Sequence, residues 1–70
     1  MKERIVILGA GESGTGAAIL ARAKGYDVFV SEQGTIRAKY KDELNAAAIP
    51  FEEGGHTLDK IVNAQTVIKS

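Results

Sequence analysis

Hydrophobic residues in this chain come in short continuous runs, and two of these runs predict buried β-strands. Residues 4–8, Arg-Ile-Val-Ile-Leu, form the first run, which stops at Gly9. Residues 27–31, Asp-Val-Phe-Val-Ser, form the second. Hydrophobic and polar positions do not alternate in either run. Both faces of each strand are therefore expected to be buried, as in a parallel sheet.

Two helices are predicted around the second strand. Residues 15–24 are rich in alanine, carry their cations at the C-terminal end and precede Gly25. These are signals for a helix and its end. A second, amphipathic helix is expected to end at Pro50. Its apolar stripe consists of Ile36, Tyr40, Leu44, Ala47 and Ala48, and its solvated side carries Arg37, Lys39, Lys41, Asp42 and Glu43.

The remaining residues complete an alternating α/β pattern. Residues 50–52 suit a short third strand, Thr57 can cap a short helix through Val62, and residues 65–68 suit a fourth strand. The pattern predicts a Rossmann-like α/β fold with three layers, α/β/α, around a short parallel sheet of about four strands. No helix follows the last strand to cover it. We therefore expect residues 1–70 to be one N-terminal domain, truncated at its C-terminus, of a longer protein.

Composition narrows the classes of function. The nine basic and nine acidic residues cancel, which disfavours a nucleic-acid partner because binding to the phosphate backbone of a nucleic acid usually requires a basic surface. The chain has no cysteine, which excludes disulfides, thiol nucleophiles and cysteine-based metal sites. The first apolar run is too short for a signal peptide or a membrane span. We therefore expect a soluble, cytoplasmic protein with no membrane partner.

The strongest chemical signal is the glycine-rich turn Gly9-Ala10-Gly11-Glu12-Ser13-Gly14, which follows the first strand and opens the first helix. In such a motif Gly9 permits the tight turn, Gly11 lets a pyrophosphate approach the backbone, and Gly14 allows close packing of the helix. The free N–H groups and the dipole of the helix favour an anion. The turn predicts a diphosphate site. The alternative is that its glycines serve only the turn and the packing.

Two polar residues within the turn affect this prediction. The carboxylate of Glu12 would repel a phosphate if it pointed inward, so we expect it to face solvent or a hydroxyl of a sugar or base. Ser13 can donate its hydroxyl to the phosphate, or it can serve only as the N-cap of the helix.

Glu32 is the second candidate binding residue. It closes the second strand about 20 positions after the turn, where dinucleotide-binding folds place an acidic residue that binds a ribose hydroxyl. Ser31 and Gln33 flank it and can add hydrogen bonds. The absence of a basic residue at 31–34 disfavours NADP. The alternative for Glu32 is a solvated carboxylate at the end of a strand.

Catalytic groups are not apparent in the rest of the sequence. His56 is the only histidine and is expected to be a surface residue. Arg37, Lys39 and Lys41 are expected to form a solvated helix face, and a contact with an anion is the alternative. The chain has no cluster of His, Asp and Glu at metal-binding spacing, no serine with a matching base and no Gly-Lys-Ser/Thr loop for ATP. We expect a binding domain with no catalytic residue and no metal site.

Four segments resemble the N-terminal domain of the Mur ligases. Residues 5–14, IVILGAGESG, and 28–32, VFVSE, are similar to the start of that family. Residues 49–57 and 63–70 are also similar to it. The match is best with members from Bacteroidetes-like bacteria that add D-glutamate to UDP-N-acetylmuramoyl-L-alanine in peptidoglycan biosynthesis. It covers essentially the whole chain, which corresponds to the first domain of the family only.

The resemblance implies a substrate site for UDP in place of NAD. It implies that residues 11–14 hold the diphosphate, with Glu12 and Ser13 lining it, and that residues 32–34 lie beside the uracil. Many relatives have aspartate at Glu32 and a basic residue near Gly34, and this chain departs from both. The UDP-binding residues implied by the resemblance are Gly11, Glu12, Ser13, Gly14, Glu32, Gln33, Gly34 and Ser70.

The resemblance also implies an ATP-dependent reaction that this chain does not carry out by itself. In the family, an acyl phosphate forms on the substrate and the amine of D-glutamate attacks it to give an amide. ATP, Mg²⁺ and D-glutamate bind to the second and third domains, so we expect no cofactor in this chain. Two alternatives remain open. The chain is an NAD-binding domain of an oxidoreductase or of an NAD-sensing regulatory module, or it is a folding unit without a ligand of its own.

Overall fold

The computed structural model describes residues 2–70, and Met1 lies outside the described residues. Four strands alternate with three helices, as the sequence predicts. The elements are β1 (Arg4–Leu8), α1 (Glu12–Ala23), β2 (Asp27–Glu32), α2 (Ala38–Ala46), β3 (Phe51–Glu53), α3 (Leu58–Ile61) and β4 (Thr66–Lys69).

The four strands form one parallel sheet in the order β3-β2-β1-β4. The two apolar runs of the sequence are therefore the two central strands. Val6 of β1 lies between Phe29 of β2 and Val67 of β4 in the register. A central strand has a neighbour on each side and a layer on each face, which explains why β1 and β2 are hydrophobic throughout.

The main core lies between the sheet and the helices α1 and α2, which contact each other. Alternate residues of the central strands point into this core, which contains Ile5, Ile7, Val28, Val30, Ala18, Leu44 and Ile49. The opposite face carries Val6 and Phe29, which are also buried. The ammonium of Lys60 in α3 lies 5.6 Å from the centre of the Phe29 ring. The third layer is thus present but consists of a one-turn helix.

Arg4 connects the first strand to three other parts of the chain. Its Nε donates to Asn63 at 2.9 Å, its Nη1 forms an ion pair with Asp27 at 3.1 Å, and its Nη2 donates to the carbonyl of Lys60 at 2.9 Å. The guanidinium also lies 5.5 Å from the centre of the Phe29 ring. A planar group with donors in a fixed fork suits this set of acceptors.

The second helix is shorter than its apolar stripe predicts. It ends at Ala46, and Ala48 has a left-handed backbone with φ 58°. Proline is therefore not what stops the helix, because the chain has already left it before Pro50. Ile36 precedes the helix, and it is buried in the same core as Leu44. The stripe continues beyond the helix because the flanking loops also pack on the core.

The predicted cap of the last helix is wrong in one respect. Thr57 occupies the N-cap position of α3, but its side chain makes no capping hydrogen bond. Its hydroxyl donates instead to Glu52 at 2.6 Å. A carboxylate accepts a stronger hydrogen bond than a neutral group does. Within residues 2–70, none of the helices is long and apolar enough to cross a membrane.

Candidate functional site

The glycine-rich turn joins β1 to α1 at the carboxyl edge of the sheet. Gly9 has φ +109°, a conformation that side-chain-bearing residues rarely adopt. Its N–H donates to the carbonyl of Ser31 at 2.9 Å, which fixes the turn to β2. The predicted role of Gly9 in the turn is confirmed.

Gly14 provides the close approach between the helix and the turn. A Cβ atom at this position would lie 2.0 Å from the carbonyl oxygen of Gly9 and 3.2 Å from the Cβ of Ser70. The oxygen belongs to the backbone and cannot move aside without deforming the turn. Gly14 is buried, and its packing role follows from this contact.

Gly11 faces open space and is the N-cap of α1, with an extended backbone. The first hydrogen bond of the helix runs from the N–H of Thr15 to the carbonyl of Gly11 at 2.9 Å. The N–H groups of residues 12–14 therefore have no acceptor within residues 2–70. Such free donors at the positive end of a helix suit an anion. The alternative in which Ser13 caps the helix is wrong, since Ser13 lies inside it.

The carboxylate of Glu32 connects the two loops that form the site. Its Oε1 accepts the N–H of Ala10 at 2.8 Å, and its Oε2 accepts the N–H of Gly34 at 2.9 Å. These two hydrogen bonds, that from Ala10 above all, hold the pKa of Glu32 below its usual value. The side chain is therefore not merely solvated. Each carboxylate oxygen can accept a further hydrogen bond, so the group remains able to meet a ligand hydroxyl.

An open cavity of about 310 Å³ lies between the glycine-rich turn and the start of α2. It is lined by Ala10, Gly11, Glu12, Glu32, Thr35, Arg37 and Tyr40. Three of the predicted UDP-binding residues thus share one cavity. The predicted residues outside its lining are Ser13, Gly14, Gln33, Gly34 and Ser70.

Ser70 lies behind the turn, on the side of Gly9 and Gly14. Its N–H donates to the carbonyl of Leu8 at 2.9 Å, as a continuation of the pairing between β1 and β4. Its Cβ is 3.1 Å from where a Cβ of Gly9 would lie. Ser70 therefore supports the shape of the turn, and its side chain is exposed.

Arg37 and Tyr40 also line the cavity, and neither was among the predicted UDP-binding residues. Arg37 is exposed, as expected, but it is the N-cap of α2, with an extended backbone, and does not lie within the helix. Its carbonyl accepts the N–H of Tyr40 at 3.0 Å, which places both residues at the start of the helix. Tyr40 packs against the core, as its place in the apolar stripe predicts, and it is partly buried. The sequence feature that could have identified both residues as part of the site is that they closely follow Glu32 along the chain.

A second polar network lies on the face of β2 that is opposite to the side chain of Glu32. The buried Ser31 donates its hydroxyl to Glu52 at 2.8 Å, and its Oγ lies 2.5 Å from Nδ1 of His56. The hydroxyl has one proton, so Nδ1 of His56 carries the proton of the second contact. Hydrogen bonds from Thr57, followed by that from Ser31, lower the pKa of Glu52 to about 2. His56 is exposed, as predicted, and the network holds its loop against β2.

A larger cleft of about 390 Å³ lies at the amino ends of the strands and is lined in part by Arg22 and Asp27. It is close to the C-terminal end of α1, where the helix dipole disfavours an anion. None of the predicted site residues lines it. Within residues 2–70, no group of three or more His, Asp or Glu side chains is arranged to hold a metal ion.

Comparisons with known proteins show the family to which the chain belongs. The sequence model of the MurD N-terminal domain matches residues 4–70. The chain is 61% identical over 70 residues to a UDP-N-acetylmuramoylalanine–D-glutamate ligase of Porphyromonas gingivalis. The aligned segment covers all of this chain and 16% of the relative. It is 59% identical over 68 residues to the protein of the same name in Bacteroides thetaiotaomicron, covering 97% of this chain and 15% of the relative. The chain thus spans less than a fifth of the length of these relatives.

One solved structure supports the fold alone. A crystal structure of a ferredoxin reductase from Rhodopseudomonas palustris superposes with a TM-score of 0.75 over 99% of this chain and 24% of that chain. The two sequences are 22% identical. The likeness confirms the predicted Rossmann-like architecture, and many unrelated functions use such folds.

Proposed function

Because the chain belongs to the MurD N-terminal domain family, we propose that it binds the UDP end of UDP-N-acetylmuramoyl-L-alanine for a ligase that adds D-glutamate in peptidoglycan synthesis. The observation that carries this proposal is the open space in front of Gly11, next to the free N–H groups of residues 12–14. A diphosphate placed there meets backbone donors and the positive end of α1 without contact with a side chain at position 11.

The nucleoside is assigned to the cavity beside the turn. Glu32 offers its carboxylate oxygens to the ribose or the uracil, and Gln33 and Gly34 continue the same loop. Glu12 also lines the cavity and is exposed, so water weakens its repulsion of a phosphate without removing it. Ser13 is assigned to the diphosphate through its hydroxyl, and Ser70 to the support of the turn from behind.

This chain binds and orients the substrate and does not react with it. It has no Gly-Lys-Ser/Thr loop for ATP, and the residues described supply no set of three metal-ligating side chains. The loop that would hold the phosphates of ATP with its Mg²⁺ is therefore not part of these residues. We assign both, together with D-glutamate and the amide-forming step, to parts of the ligase outside these residues. The proposal places the ligase in the cytoplasm, where ATP is available.

A titration of the chain with UDP and, separately, with NAD tests the proposal. In NMR spectra, the chemical shifts of the backbone amides of residues 9–14 are expected to change when UDP is added and to change only weakly with NAD. A preferential response to NAD would support the oxidoreductase alternative and contradict the ligase. If neither ligand changes these chemical shifts, the chain is a folding unit without a ligand of its own.

The variant Gly11→Val makes this test sharper. The extended backbone of Gly11 and the empty space around it allow a side chain without a clash in the protein. The new side chain would occupy the space assigned to the diphosphate. We expect UDP binding to be lost while the chain stays folded. Gly16→Ala is the matched control, because Gly16 also has nothing within 4 Å but lies within α1.

A further inference from the structure

Arg37 is the cation of the cavity. The guanidinium forms no hydrogen bond and no ion pair within residues 2–70, in contrast to Lys41, which pairs with Glu53, and Arg4, which pairs with Asp27. Its backbone is nevertheless fixed, because its carbonyl accepts the N–H groups of residues 40 and 41, each at 3.0 Å. The side chain is thus held at the cavity by its backbone and is free to bind something else.

The charges around the cavity call for a positive group. Two carboxylates, Glu12 and Glu32, line the same space as Arg37. The carboxylate of Glu32 is already bound to two backbone N–H groups. Without Arg37, a nucleotide would enter a cavity lined by negative charge only, which costs binding energy through repulsion.

We propose that Arg37, together with Tyr40, reads the nucleobase in this cavity, with the guanidinium donating hydrogen bonds to the carbonyl oxygens of a pyrimidine-2,4-dione. The proposal rests on the assignment of the diphosphate to the N-terminus of α1, since that assignment places the base on the side of Glu32 and Arg37. The planar guanidinium has several N–H donors and no acceptor, and a uracil ring presents carbonyl oxygens on its edge. The ring of Tyr40 forms an apolar wall for the base.

This arrangement discriminates between pyrimidines. Cytosine carries an amino group where uracil carries a carbonyl oxygen at C4, so an arginine donor there would meet another donor. A binding site that is built to hydrogen-bond one group discriminates strongly against an analogue that lacks it. We expect UDP to bind about tenfold more tightly than CDP, which corresponds to about 1.4 kcal/mol.

The test compares Arg37→Gln, Arg37→Lys and the unchanged chain with three ligands, UDP, CDP and uridine, by NMR titration. We expect Arg37→Gln to weaken both UDP and uridine about tenfold and to remove the preference over CDP. Arg37→Lys keeps the charge but lacks the planar fork, so it is expected to lose the preference as well. Lys24→Gln is the control, because it removes one exposed positive charge that does not line the cavity.

The outcomes separate this inference from the proposed function. If Arg37→Gln weakens UDP and CDP equally and leaves uridine unchanged, Arg37 contacts the phosphates and the inference is overturned. Full recovery of affinity and preference in Arg37→Lys would show that charge alone matters, and would also overturn it. Tight UDP binding that is indifferent to Arg37 overturns the inference and leaves the proposed function standing. If the unchanged chain does not bind UDP, both are wrong.

Discussion

The carboxylate of Glu32 accepts a hydrogen bond of 2.8 Å from the N–H of Ala10, a residue 22 positions earlier in the chain. This contact joins the end of β2 to the glycine-rich turn. The other carboxylate oxygen of Glu32 accepts the N–H of Gly34. A residue that the sequence marks only as a candidate ligand of ribose therefore also holds the two loops of the site in place.

Replacing Glu32 by Gln is expected to destabilise the site loops by about 1–2 kcal/mol, since hydrogen bonds to charged groups contribute about this much. The amide has one acceptor oxygen, so one of the two N–H groups would face an NH₂ group. Urea unfolding measures the loss. Glu12→Gln is the control, because Glu12 is exposed and makes no side-chain hydrogen bond within residues 2–70. If the two variants were equally stable, Glu32 would not hold the two loops of the site in place.

Gly14→Ala is expected to destabilise the chain by about 1–3 kcal/mol or more, the usual cost of overpacking. Its Cβ would lie 2.0 Å from the carbonyl oxygen of Gly9. Gly16→Ala in the same helix is expected to stabilise by about 0.5–1 kcal/mol, because alanine favours a helix and nothing lies within 4 Å. Chemical unfolding measures whether the two variants change the free energy of unfolding in opposite directions. If Gly14→Ala left this free energy unchanged, the turn would have moved easily to admit the new Cβ.

The stability of the chain is expected to fall as the pH falls from about 4.5 to about 2, in part because of Glu52. Hydrogen bonds from Thr57 and Ser31 lower its pKa to about 2 in the folded state, against 4.5 without them. A depressed pKa contributes stability above the unfolded value, and this contribution is lost as the pH falls through the folded value. Glu52→Gln should make the free energy of unfolding depend less on pH in this range. The same change at the exposed Glu43 should not.

Arg4→Lys is expected to cost about 1–2 kcal/mol although it preserves the charge. Lysine has a single ammonium in place of the three nitrogens that reach Asn63, Asp27 and the carbonyl of Lys60. Thermal unfolding at constant pH measures the effect. Arg22→Lys provides the comparison, because Arg22 makes no side-chain hydrogen bond within the residues described. If both variants lose the same stability, the forked contacts of Arg4 contribute nothing specific.

The sequence by itself determined the order of the elements and the identity of the turn. Short hydrophobic runs that are rich in β-branched residues favour strands covered on both faces, and these runs are the central β1 and β2. The spacing of Gly9, Gly11 and Gly14 fixed where the backbone must turn and where it must pack closely, because these requirements are local.

Only the tertiary structure decided which side chains share the site. Arg37 and Tyr40 fit an amphipathic helix by their spacing, but the chain enters α2 after Arg37, and both residues line the cavity. The bond from Glu32 to the turn likewise depends on the parallel register of β1 and β2. Contacts of this kind depend on how far one element lies from another and on where side chains point, and hydrophobic periodicity along one chain carries neither quantity.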